Sequence, residues 1–141
     1  MMSKANRLKK EKINNSIDIS QRESNCKNVV AFSFHHVTTN KRHNFEQLED
    51  EAILSLFSKF KLMTDMGWLA LGSSGKSQGF ELIPLSSVKI TPKGLGLVKD
   101  SKFHSIRFNH QKYQLIGYRP NGCDILHIIG IDYDYSAYNH G

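Results

Sequence analysis

Three strand-like runs packed into the C-terminal third constrain this chain more than any other feature. Residues 103–108, 113–118 and 124–132 are rich in β-branched and aromatic residues, with only short polar stretches between them. Arg119-Pro120-Asn121-Gly122-Cys123 joins the last two, with Pro at the first turn position and a Gly able to take positive φ. Strands joined so briefly pair antiparallel, because a parallel partner needs a crossover of about a dozen residues or more. The spacing therefore predicts a three-stranded antiparallel meander.

Upstream, residues 29–37 are β-branched and aromatic, with Val30, Phe32 and Phe34 alternating, and are predicted as the first strand. A polar loop follows. Asn44 then reads as an N-cap, with Gln47 three residues later as in a capping box. Phe45, Leu48, Ala52, Ile53, Leu56, Phe57 and Phe60 recur at spacings of three and four, which predicts an amphipathic helix over 44–63 with this stripe buried. Glu46, Glu49, Asp50 and Glu51 crowd its start and Lys59 and Lys61 its end, as the helix dipole favours. A shorter helical turn holding Trp68, Leu69 and Leu71 is expected next, then a Gly- and Ser-rich loop over 72–79. Residues 80–85 read equally as a helical turn or an extended piece stopped by Pro84. The predicted fold class is α+β: an N-terminal strand, one or two helices, and the three-stranded antiparallel meander forming one twisted sheet with the first strand.

Residues 1–28 hold seven Lys and Arg against three Asp and Glu, and few large aliphatics, so they are expected to form a flexible basic arm. That arm reads either as a nucleic-acid contact or as a solvated tail. Residues 29–141 are expected to form a single domain. Over all 141 residues, 19 Lys and Arg oppose 13 Asp and Glu, for a net charge of +6. A basic surface of this kind favours anionic partners. No apolar run approaches the ~18 residues of a membrane span, and the start lacks the apolar segment of a secretory signal. Cys26 and Cys123 match neither a disulfide framework nor a zinc site. A cytoplasmic protein without a membrane partner is the expectation.

Several motif-like stretches read as ordinary structure. Residues 70–77 match a relaxed phosphate-binding loop, and Asp132 could pose as the second motif of a nucleotide hydrolase. That mechanism needs a strand before the loop and a long helix after it, and Gly79 and Pro84 leave no room for the helix. Gly94-Leu95-Gly96 is half a dinucleotide fingerprint and reads as a turn. His35, His36 and His43 lack ligand spacing, and Asp132 with Asp134 lacks a third ligand, so neither a metal nor another cofactor is expected.

The basic residues beyond position 75 are more informative. Between Lys76 and Arg119 eight Lys and Arg face two carboxylates, and His104 and His110 add potential charge. Alternation places Phe103, Ser105, Arg107 and Asn109 on one strand face and His104, Ile106, Phe108 and His110 on the other. An arginine in mid-strand is costly unless it is paired or faces an anion, and its planar guanidinium suits phosphate. The end of the chain, Asp132-Tyr-Asp-Tyr-Ser-Ala-Tyr138-Asn-His140-Gly, is aromatic enough to dock against the body.

The run Ser105-Ile-Arg107-Phe-Asn-His-Gln-Lys-Tyr113-Gln-Leu-Ile-Gly-Tyr118-Arg119, with the apolar run over 125–131 and the terminal Tyr138 and His140, resembles the RelE/ParE superfamily of small bacterial toxins. The resemblance covers roughly residues 29–141. It implies a metal-independent, toxin-like endoribonuclease that cuts mRNA, on the ribosome in some members, and is held by an antitoxin protein. Arg107 would stabilise developing charge, with Tyr138 and His140 as acid/base or stacking groups. Lys102, Arg119, Lys112 and His104 would contact RNA. The sequence departs from the pattern at Gln114, where the family's Tyr-Arg pair has its arginine. A non-catalytic module that binds nucleic acid or a protein on the same fold, as ParE-like inhibitors do, is the second reading.

Overall fold

The computed structural model describes residues 28–90, 94–98 and 101–137. The arm expected over 1–28 therefore lies outside the described residues except for Asn28, as do Tyr138 and His140.

The chain is α+β. Its elements are β1 (Ala31–Ser33), α1 (Asp50–Ser74), β2 (Phe80–Pro84), β3 (Lys102–Phe108), β4 (Tyr113–Tyr118) and β5 (Ile125–Asp132). All five strands join one mixed sheet in the order β1-β5-β4-β3-β2. β2, β3, β4 and β5 pair antiparallel with their neighbours, and β1 runs parallel to β5. The sheet thus has one strand more than the sequence predicts. Of the segment over 80–85, Phe80–Pro84 is extended and pairs with β3 through Phe80–Ile106 and Leu82–His104, and Leu85 opens a 3₁₀ turn. Pro84 is tolerated because it closes an edge strand, where no ladder donor is needed. The turn at Pro120 forms as predicted, with Gly122 at φ 75° and the Cys123 N–H on the Pro120 carbonyl at 3.0 Å.

The helix is displaced from the predicted span. It starts at Asp50, not Asn44, and runs to Ser74. The segment before it is committed to the sheet: Thr38 N–H donates to Ile129 O and Ile131 N–H to His43 O, both at 2.7 Å. Asn44 Oδ1 accepts the Glu46 N–H in a local turn, and the Gln47 amide donates to Lys41 O, so no capping box forms. The buried stripe keeps Ala52, Leu56 and Phe60 as predicted but is narrower, without Ile53 and Phe57. Ala52, Leu56, Phe60 and Met63 pack on the sheet, while Phe57, predicted as core, is 64% exposed. One residue is about 100° around a helix, which carries Ile53 and Phe57 off the packed face.

One sheet face meets α1 through Phe80, Ile106, Phe108, Leu115, Leu126, Ile128 and Ile131. The other, at one end, is covered by the connection after β2: Ile83, Phe103, Ile116, Tyr118 and Ile129 pack with Ile90, Val88, Leu95 and Leu97. β4 lies between two strands under both layers, and all six of its residues are buried. No helix among the described residues is long and apolar enough to cross a membrane.

Substitution separates the packed stripe from its exposed neighbour. Phe60→Ala is expected to lower unfolding free energy by about 3–5 kcal/mol through lost transfer and a cavity. Phe57→Ala is expected to cost less than about 1 kcal/mol, the scale of surface changes. Equal losses in chemical denaturation would place Phe57 in the core after all.

Candidate functional site

α1 is interrupted at Gly67, whose φ of 77° and ψ of 167° are not helical. A Cβ there would sit 2.8 Å from Asn28 O, so the close approach needs glycine. Asn28 caps the helix segment that restarts: its carbonyl accepts the Trp68 N–H at 3.1 Å and its Oδ1 accepts the Leu69 N–H at 2.6 Å. This break turns the Trp68 indole inward. Its Nε1–H donates to Asp124 O at 2.9 Å, its ring lies 5.4 Å from His104, and the Arg119 guanidinium sits 4.1 Å over it. Arg119 Nε also donates to Cys123 O across the turn.

These groups line a cavity of about 550 Å³ between the end of α1, the 3₁₀ turn Gly75–Gln78, β2, β3 and the Arg119–Gly122 turn. Met63, Leu71, Phe80 and Leu82 supply apolar walls, Lys76 and Arg119 supply cations, and Glu81 supplies a carboxylate. Burial first, and the Arg119 charge second, lower the His104 pKa to about 4, so its ring is neutral at physiological pH.

Arg107 lies elsewhere. It alternates with His104 and so projects from the opposite sheet face, in a cross-strand row with Gln114 and Asp132. Ser105, Gln114 and Asp132 are buried there. Arg107 N–H donates to Gly79 O at 3.0 Å, and a Cβ on Gly79 would lie 3.2 Å from the Arg107 Cβ. Its Nε is buried and has no hydrogen-bond partner among the described residues. Lys59 on α1 reaches toward the same end of the sheet, with Nζ donating to Gln78 O at 2.9 Å and lying 5.8 Å over the Phe80 ring. Its pKa is lowered by burial and then by the Arg107 charge. Among the described residues, neither cation forms an ion pair with a carboxylate.

Of the residues predicted from sequence, His104 and Arg119 therefore come together, and Arg107 does not join them. Lys102 is exposed at the start of β3 opposite Pro84. Lys112 is exposed in the β3–β4 turn with Nζ 5.4 Å over Tyr113. Residues 70–77 occupy the C-terminal end of a helix and the following turn, where backbone carbonyls rather than N–H groups are exposed. That is the wrong pole for a phosphate cradle. Asp134 pairs with Arg42 at 3.3 Å, and Asp132 accepts the Ser136 N–H at 2.8 Å. Trp68 and Lys59 were legible in sequence only as helix residues. The chain matches no protein-family model, no curated protein and no solved structure.

The neutral His104 makes stability pH-dependent with a definite sign. Unfolded, the ring titrates near its ordinary value of about 6.5. Folded, it resists protonation down to about 4. The unfolded chain thus takes up the proton first, and stability falls as pH drops from about 6.5 toward about 4, by on the order of 3 kcal/mol. The His127 pKa is lowered too, so part of the slope is shared. His104→Gln is expected to flatten the dependence of melting temperature on pH in this window. An unchanged slope, or an NMR titration of His104 near 6.5, would contradict a buried neutral ring.

Proposed function

We propose that this protein binds RNA, with a backbone phosphate held at Arg107 and Lys59. The observation that carries this reading is the buried Arg107 Nε without a hydrogen-bond partner. Leaving a buried donor unmade costs roughly 1–3 kcal/mol, more for a charged group, and a phosphate removes that cost when the half-exposed guanidinium turns its Nε–H outward to meet it. Lys59 adds a second cation, whose pKa is lowered by burial first and then by the Arg107 charge. The net charge of +6 favours the same class of partner.

Cutting the bound RNA, as the resemblance to RelE/ParE toxins implies, is the second reading. The row Arg107–Gln114–Asp132 favours it, because it sets a phosphate-holding cation on the same sheet face as a carboxylate. Arg119 and His104 do not contribute to that row, so catalysis there would rest on Arg107 with Tyr138 and His140. Under this reading an antitoxin protein is the expected partner. Under the binding reading none is required.

Fluorescence anisotropy with a single-stranded RNA tests the phosphate contact. Arg107→Ala and Lys59→Ala are each expected to weaken binding by roughly tenfold or more. Each should also reduce the salt slope of log K by about 0.7. Affinity that ignores both substitutions would overturn the reading. Gel analysis of mRNA, with and without ribosomes and with chelator present, separates cutting from binding. Fragments that vanish in Arg107→Ala support the endoribonuclease. Intact RNA bound tightly supports the binding module.

A further inference from the structure

We propose that the cavity under Trp68 is a binding site for a phosphomonoester carried on a flat, largely apolar body, a nucleoside monophosphate. The cavity lies on the α1 side of the sheet, opposite Arg107, and the inference does not depend on how RNA is bound there. Its volume of about 550 Å³ falls within the roughly 300–1,000 Å³ of small-molecule sites. Leu71 and Leu82 provide the apolar wall that a base ring needs, and His104 offers one ring donor and one ring acceptor for its polar edge.

The cationic end is built rather than incidental. Arg119 is fixed on two sides, by the Trp68 ring 4.1 Å away and by its Nε–H on Cys123 O. A guanidinium held this way loses little freedom when it takes up a phosphate through its remaining N–H groups. Lys76, on the Gly75–Gln78 turn, lines the same cavity and adds a second positive charge, so that two cations face the one lining carboxylate, Glu81. Neither cation has a carboxylate ion-pair partner among the described residues. Arginine stacked on indole is often simply structural. Here the stack instead holds a cation at the rim of an open cavity with apolar walls, the arrangement of an anion site. A free mononucleotide and the 5′-phosphorylated end of an RNA share this chemistry.

Titration of the intact protein, followed by the emission of its one tryptophan and by calorimetry, tests the site. The probes are the four ribonucleoside 5′-monophosphates, their nucleosides, inorganic phosphate, and a short RNA with or without a 5′-phosphate. At least one monophosphate, or the 5′-phosphorylated RNA, is expected to bind at least tenfold tighter than its unphosphorylated counterpart and than phosphate alone. Preference for the phosphorylated RNA over every free nucleotide identifies the RNA end as the source; otherwise the free nucleotide is the ligand. Arg119→Lys keeps the charge but loses the planar fork and should weaken binding tenfold or more. Leu82→Phe narrows the cavity from an exposed edge strand and should do the same without touching a cation or adding a second tryptophan. No binding at millimolar concentration, no dependence on the phosphate, or binding unaffected by both variants would overturn the proposal.

Discussion

The interaction on which this structure most depends is the meeting of Gly67 with Asn28. A glycine at positive φ lets the backbone of the first described residue come within contact of a helix, and that residue then caps the segment that restarts. Without the break, α1 would continue straight and Trp68 would rotate away from the sheet end. With it, one indole hydrogen-bonds Asp124 O, stacks on Arg119 and contacts His104, tying the helix to β3 and to the turn between β4 and β5. The capping bonds are local, but what they fix is the wall of a cavity.

The sheet then sorts charge by face. β3 carries His104 and Arg107 three residues apart, at positions of opposite parity, so the pleat sends one to the helix side and the other away from it. His104 is largely enclosed beside a cation and stays neutral at physiological pH, while the Arg107 Nε is buried without a hydrogen-bond partner among the described residues. The two environments differ because of what covers them. α1 and the turn before β2 enclose the first. The second lies in a row of buried polar groups, Ser105, Gln114 and Asp132, where an apolar cover would leave hydrogen-bonding atoms unsatisfied. One strand thereby places polar groups in two separate environments, one on each face of the sheet.

Much of this was readable from sequence, and the unreadable parts share a cause. The meander was legible because period-two alternation and the Pro120-Asn121-Gly122 turn are local signals. Arg107 was legible because a cation in mid-strand asks for a reason. The helix start was misread because Asn44 and Gln47 carry capping chemistry, but the backbone from Thr38 to His43 is drawn into hydrogen bonds with β5, some ninety residues away. Phe57 lies one position beyond Leu56, about 100° around the helix, so spacings of three and four alone draw the stripe too wide. β2 stayed ambiguous since Phe80–Pro84 has no alternation of its own and is defined by its pairing with β3. The Trp68–Arg119 contact joins residues that sequence spacing cannot relate. Lys59 looked like a charge suited to a helix end, and only the fold sets it within reach of the field of Arg107.

The claim that the Gly67 break builds the cavity is tested most directly by the emission of Trp68, the one tryptophan, in wild type and in Gly67→Ala. At 6% exposure the indole should emit at short wavelength in the wild type. In Gly67→Ala a Cβ cannot coexist with Asn28 O, so emission should shift to the red while far-ultraviolet circular dichroism keeps its helix and sheet signal. Unchanged emission and unchanged stability in Gly67→Ala would show that the break does not position Trp68, and the account of the cavity would be wrong.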